Sequence, residues 1–283
     1  MPRRFSDITL RLLMRCETYF IVLAIAYIII DIVYKGARTL SWTFLTAMPA
    51  KSGAEGGILP AIVGTLCLIL GTIVVALPLG MASAVYLSEY AKRGRFTRTI
   101  RLAITTLAGV PSIVFGLFGL GLFVLFLHLG ASIVAGSLTL ACMVLPTIIV
   151  ASEEALLAVP VYLREGSLAL GAGKWQTIRK NVLPYAIPGM LTGSVLGIGR
   201  AAGETAPILL TVAAFYLPRL PRSIFDQCMA LPYHLYVLAT QHPDMEKVRP
   251  MQYGTALVLI MLVLGVNLGA IILRIHFRKR YKW

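Results

Sequence analysis

Six stretches of this chain, roughly residues 19–35, 58–84, 101–128, 131–152, 185–214 and 254–275, stay apolar for about the 20 residues a helix needs to cross a bilayer. Inside hydrocarbon no water is available to the backbone, so each stretch must satisfy its own amides and carbonyls as a helix. With 58% hydrophobic and 13% charged residues and a mean hydropathy of +0.82, the chain lies outside the range of soluble domains. The expected fold is all-α: an integral membrane protein with six transmembrane helices. Pro78 and Gly80 in the second run and Pro111 in the third would break soluble helices, and here are expected to kink bundle helices.

Lysine and arginine set the orientation, because positive residues collect on the cytoplasmic side. Eighteen of the 26 lie at the two termini and in the connections around residues 92–101 and 164–180; seven lie in the alternate connections, and Arg200 is the remaining one. Both termini are therefore expected in the cytoplasm. The net charge of +14 follows from this bias together with attraction to anionic lipid, which removes nucleic acid as a partner. Cys16, Cys67, Cys142 and Cys228 show neither metal-ligand spacing nor a disulfide framework. Near the N-terminus, Phe5, Ile8 and Leu12 oppose Arg4, Asp7, Arg11 and Arg15, the pattern of an interfacial helix leading into the first span.

Within the fifth run the chain reads Arg200-Ala-Ala-Gly-Glu204-Thr-Ala-Pro207. A charge at the centre of a membrane helix costs about 3 kcal/mol on insertion scales, so such residues face protein or water and mark permeation paths. The i,i+4 spacing places Arg200 and Glu204 on one helix face, where the carboxylate restrains the guanidinium and leaves donors free for an anion. The plainer alternative is a structural ion pair that orients the helix. Thr205 is a further, weaker donor, whereas Thr192 and Ser194 read as helix-packing residues.

The connection at 152–184 carries apolar residues at helical spacing, a Gly171-Ala-Gly173 break and Pro184 at the next span, the pattern of two short helices joined at Gly171. Its apolar cluster of Leu163, Leu168, Leu170 and Trp175 must pack on the bundle or bind another molecule. The connection at 216–253 holds enough apolar residues, including Leu231-Pro-Tyr233 and 235–238, for a helix at the membrane surface. Residues 35–57, with Trp42 and Phe44, belong to the same side.

Glu165, Gly171, Leu183 and Pro184 stand at the spacing of the Glu-Ala-Ala loop of binding-protein-dependent importer permeases; Gly166, Ser167 and Asn181 depart from that pattern. Ala76-Leu-Pro-Leu-Gly80, Tyr86-Leu-Ser-Glu-Tyr90, Gly109-Val-Pro-Ser-Ile-Val-Phe-Gly116, Leu168-Ala-Leu-Gly171, Lys174-Trp175 and Gly199-Arg-Ala-Ala-Gly-Glu-Thr-Ala-Pro207 follow in order. From about Gly56 onward the chain resembles the PstA-type permease subunits of phosphate-specific ABC transporters, in the type I (MetI-like) importer family. That resemblance implies a division into residues 1–57 (interfacial helix, first span and external segment), a permease domain at 58–275 and a basic cytoplasmic tail at 276–283. It further implies a sister permease subunit (PstC type), two ATPase subunits (PstB type) and a periplasmic or lipid-anchored phosphate-binding protein (PstS type), in a plasma or inner membrane. Glu165, Gly171, Trp175, Leu183 and Pro184 would belong to the coupling helices that meet the ATPase. Arg200, Glu204 and Thr205 would line the substrate path, and 216–253 with 35–57 would form the platform for the binding protein.

The chain itself is expected to hydrolyse nothing and to bind no cofactor, with ATP and Mg held on the ATPase subunits. Gly173-Lys174 is no nucleotide loop, since that motif would require glycine at Leu168 and serine or threonine at Trp175. No metal-ligand cluster is evident. A permease for sulfate or molybdate is the nearest alternative, which Arg200 in the Gly-Glu-Thr-Ala-Pro context argues against. A non-transporting scaffold is disfavoured by the charges in the span.

Overall fold

Backbone amides without water close into helices almost throughout. A computed structural model describes the backbone of residues 2–280 other than Ala54 and Arg93, and the side chains of residues 10–276 other than those two and Ser52. In chain order the elements are α1 (Pro2–Ala37), α2 (Trp42–Thr46), a two-stranded antiparallel hairpin of β1 (Pro49–Ala50) and β2 (Glu55–Gly56), α3 (Leu59–Val85), α4 (Arg95–Leu107) and α5 (Ser112–Gly119). There follow α6 (Ile133–Leu157), α7 (Val161–Ala169), α8 (Lys174–Thr177), α9 (Leu183–Gly203), α10 (Ala206–Thr211), α11 (Leu231–Thr240) and α12 (Met245–Arg280). Wide π-helical turns extend α3 at Tyr86–Tyr90 and α5 at Leu120–Phe126, and join α8 to α9 at Ile178–Val182.

Among the described residues, five helical stretches are long and apolar enough to span a membrane: Leu10–Ala37, Leu59–Tyr90, Ile133–Leu157, Lys174–Gly203 and Met245–His276. The third expected span differs from its reading as a kinked helix. Its halves Arg95–Leu107 and Ser112–Phe126 meet at 104°; counted as one broken span, they bring the number to six. Pro111 heads α5 rather than interrupting it, because proline has no amide to donate and excludes the helical conformation from Val110. By contrast Pro78, Pro146 and Pro188 sit inside α3, α6 and α9. At the N-terminus no break separates an interfacial helix from the first span; the side chains of Phe5 and Ile8 lie outside the described residues, as do residues 281–283 of the expected tail.

Hydrocarbon gives helices no apolar reason to associate, so close contact of small residues holds the centre. α3 and α6 run in the same direction, with Gly71 against Ser137 and Gly80 against Ile148. On the other side of α6, α9 presents Gly189, Gly193 and Gly197 at i,i+4,i+8 to Ala155, Ala151 and Ile148. Leu68, Leu140, Val144, Phe115 and Ile208 fill the middle of the bundle. One end, here the loop end, is closed by Ala84, Leu156, Val159, Val182 and Met190. At the opposite, hairpin end, Phe44, Ile58, Leu231, Leu238 and Val248 close the bundle. α1 packs chiefly on α12, where Gly36 meets the Tyr253 carbonyl, and its apolar window is otherwise unburied.

The 216–253 connection does form a helix, α11, although Ile224 and Phe225 lie in an irregular stretch before it. α11 caps the bundle, with Leu231, His234, Val237 and Leu238 buried. Phe44 of α2 is buried beside it while Trp42 is 79% exposed. Glu55 pairs with Lys51 at 2.8 Å and lies 3.9 Å from Lys247 at the start of α12.

Candidate functional site

Arg200 sits in the last turn of α9, and the helix stops three residues later, so the pair is not in mid-helix as its spacing suggested. Glu204 is the C-cap residue with an extended backbone, φ −76° and ψ 135°. The cause lies downstream in Pro207, which has no amide for the Gly203 carbonyl and whose ring would collide with it; the chain therefore breaks and restarts as α10. A cation in the last helical turn is favoured by the carbonyls exposed there.

The pair forms nonetheless. Arg200 Nε donates to Glu204 Oε1 at 3.2 Å, with side chains 45% and 19% exposed. Among the described residues no other group bonds this guanidinium, so both terminal amines are uncommitted. Leu196 and Gly203 continue the same open face of α9. Behind Glu204, Thr65, Leu68, Ile69 and Leu140 line a crevice of about 10 Å³, room for no more than one water. Thr205 heads α10, half-buried, and its hydroxyl does not cap that helix. Thr192 and Ser194 bond back to the Pro188 and Met190 carbonyls, as helix-packing residues do. The face presents four free N–H donors with a carboxylate behind them, an arrangement suited to an oxyanion.

The second group of expected residues gathers at the loop end. α7 and α8 are the two short helices, and Gly171 between them has φ +85°, a left-handed conformation that glycine adopts without strain. Ser167 and Thr177 hydroxyls close the turn at 2.9 Å. Glu165 and Leu168 are exposed, Trp175 is 55% exposed, and Lys174 stacks over the Tyr90 ring at 4.8 Å. Leu183 and Pro184 open α9, with Leu183 packed on the loop-end core and Pro184 in the first turn, where a missing amide costs nothing. α8, its π turn and α9 form one 30-residue helical stretch, so this loop is continuous with the helix that carries Arg200.

Residues 76–283 match the model of a family described as binding-protein-dependent transport system inner membrane component. The chain belongs to that family. This permease is thus a transport component and not an enzyme. It is 36% identical over 259 residues to the probable ABC transporter permease protein YqgI of Bacillus subtilis, covering 87% of this chain and 85% of that one. Over 242 residues it is 39% identical to the phosphate transport system permease protein PstA 1 of Mycobacterium tuberculosis, covering 84% and 77%. A bacterial ABC transporter involved in import of the polysaccharide alginate has a chain of the same fold, with TM-score 0.68 at 13% identity over 99% of the permease and all of that chain.

Sequence reasoning missed three polar groups. Arg164 pairs with Glu89, 75 residues away, at 2.8 Å. Arg101 pairs with Glu153 at 2.6 Å. Asn267 of α12 presses its amide into the notch at Gly199, and its Oδ1 is buried without a partner. As a lone amide in the last apolar run it was visible; the two ion pairs had no local signature.

Proposed function

We propose that this permease imports inorganic phosphate as one membrane subunit of an ATP-driven transporter. The observation that carries this reading is the Arg200 fork, held through Nε by Glu204 and open at both terminal amines, in a chain whose relatives include a phosphate permease. A guanidinium stays charged when desolvated and matches phosphate with two parallel hydrogen bonds. A path must also release its ion, and one arginine per subunit keeps the site weak enough to do so.

In this reading a sister permease subunit completes the path and two ATPase subunits supply the energy, with ATP and Mg bound there and none on this chain. A binding protein delivers phosphate at the hairpin end, which faces outward; the loop end and both termini face the cytoplasm. Glu165, Gly171 and Trp175 meet the ATPase, while Leu183 and Pro184 pass its movement into α9. Displacement of the loop then alternates access to Arg200, with Thr205 as an extra donor.

The test is uptake of labelled phosphate and of labelled sulfate by membranes holding the permease with its sister, ATPase and binding-protein partners. ATP-dependent phosphate uptake that sulfate does not inhibit, and that Arg200→Gln removes, is the expected result. Preferential sulfate transport, or unchanged uptake by Arg200→Gln at equal expression, would refute it. A cysteine at Lys174 should resist a membrane-impermeant thiol reagent in whole cells and one at Asp244 should react, in a background lacking the native cysteines; the reverse pattern overturns the orientation.

A further inference from the structure

Every side-chain donor group of Arg164 is engaged. Nε and Nη2 donate to Glu89 Oε1 at 3.2 and 2.8 Å, Nη1 donates to the Val159 carbonyl at 2.8 Å, and Nη2 also donates to the Leu156 carbonyl at 2.9 Å. One side chain of α7 is thereby fastened to the C-terminal carbonyls of α6 and to the π turn that ends α3. A second stitch lies beside it: Arg101 of α4 meets Glu153 of α6 at 2.6 Å and donates to the Leu87 carbonyl of the same π turn at 2.9 Å. Glu153 and Leu156 are one helical turn apart, and Leu87 and Glu89 are neighbours in one turn, so two arginines sew a single seam between the ends of α3 and α6.

Besides Arg164, α7 is attached by the short 158–160 link to α6 and by the Ser167–Thr177 bond. None of its residues is fully buried, and only Leu163 packs on the loop-end core. Apolar contacts slide, whereas several directional charge-assisted bonds to one guanidinium resist displacement in every direction. Partial burial, with side chains 20% and 10% exposed, strengthens them. Meanwhile the other half of the loop is helically continuous with α9. Pushing the loop would therefore move α9 directly, and the ends of α3 and α6 through their packing on α9 and through Arg164.

We propose that this seam is the joint that makes α3, α6 and α9 move together when the loop is displaced, with Arg164 and Glu89 as its positioning residues. The inference rests on the transport reading above. Neither residue touches phosphate or ATP; they set how much of the loop's movement reaches the Arg200 turn.

The experiment measures phosphate moved per ATP hydrolysed by assembled, reconstituted transporter with loaded binding protein, alongside its melting temperature. Arg164→Lys loses the fork and Glu89→Gln loses the charge; each should lower the ratio about tenfold, while hydrolysis per complex changes by less than about twofold. The double variant Arg164→Met/Glu89→Leu separates joint from glue, since replacing both partners of a part-buried pair with apolar groups commonly restores stability. It should regain melting temperature and stay uncoupled. A normal ratio in the single variants, or a ratio that returns with the melting temperature in the double, would overturn the joint. Failure of the unsubstituted complex to carry phosphate would instead sink the functional reading, and the joint with it.

Discussion

Two of the permease's arginine–glutamate pairs, Arg164–Glu89 and Arg200–Glu204, differ in what remains unused. Arg164 has all its nitrogens bonded to Glu89 and to two backbone carbonyls. Arg200 gives only Nε to Glu204. The same two residue types thus build a fastener in one place and a receptor in the other. What separates them is the supply of acceptors: the end of α6 and the turn after it offer the Leu156 and Val159 carbonyls to Arg164, whereas Arg200 emerges on an open face of α9. Counting engaged donors, rather than noting a pair, distinguishes holding from binding.

The hardest blow to this comparison falls on Arg200. Two charge-assisted hydrogen bonds to phosphate amount to about 3 kcal/mol, so Arg200→Gln should cut labelled-phosphate uptake about 100-fold. Arg200→Lys should recover little, because a point charge does not reproduce the fork. Near-normal uptake in either variant would make the two pairs alike.

Acid probes the hairpin end. His234 is 1% exposed, both its ring nitrogens lack hydrogen-bond partners among the described residues, and burial holds its pKa down at about 4. The unfolded chain titrates near 6.5, so below that pH it binds a proton the folded chain refuses. Stability is full above 6.5, declines as pH falls toward 4 by on the order of 3 kcal/mol, and is flat in this respect below. Melting temperatures from pH 7 to 4 should show the decline, and His234→Phe should flatten it; an unchanged slope would mean that another group is responsible.

Stability should also rank the two arginines in reverse. Arg164→Ala leaves Glu89, 10% exposed, without its partner, and should cost about 2 kcal/mol, less than for a fully buried pair. Arg200→Ala, whose pair is exposed, should stay within about 0.5 kcal/mol. Equal losses in chemical or thermal unfolding would erase the distinction.

A gentler test is Gly171→Val. No neighbour lies within 4 Å of a side chain there, so the effect is backbone strain at φ +85°, about 1–2 kcal/mol. Uptake should fall about tenfold while Arg200 chemistry is intact, with ATPase attachment weakened or hydrolysis unresponsive to loaded binding protein. Attachment, stimulated hydrolysis and uptake all remaining normal would reduce the loop to a plain connection.

Most of the frame was legible beforehand because hydrocarbon leaves an apolar run one choice of structure; the helices at 58–84, 131–152 and 254–275 appear with longer ends. Gly171 was legible because a Gly-x-Gly break between helical patterns has a narrow meaning. Two errors share a source. Pro111 was expected to kink a helix and the run 185–214 to form one span, yet Pro111 heads a helix beyond a 104° turn and Pro207 ends α9 beside Arg200. Whether a proline kinks or breaks depends on what neighbours offer the orphaned carbonyls, and a linear sequence does not state who those neighbours are. For the same reason Glu89 and Arg164 escaped notice: 75 residues apart, they meet only because α3 and α6 end side by side.

The face that α9 turns to α6 has a consequence of its own. Gly189, Gly193 and Gly197 present bare backbone to Ala155, Ala151 and Ile148, so this contact has few ridges to lift out of grooves when α9 shifts. α9 has no rotamers to rearrange on this face, so any sliding over α6 has to lift the small Ala151 and Ala155 methyls out of the glycine notches they fill. A larger side chain at Gly193 would act as grit: besides its cost to packing, about 1–3 kcal/mol, it would wedge against the Ala151 methyl and hinder any sliding of α9 on α6.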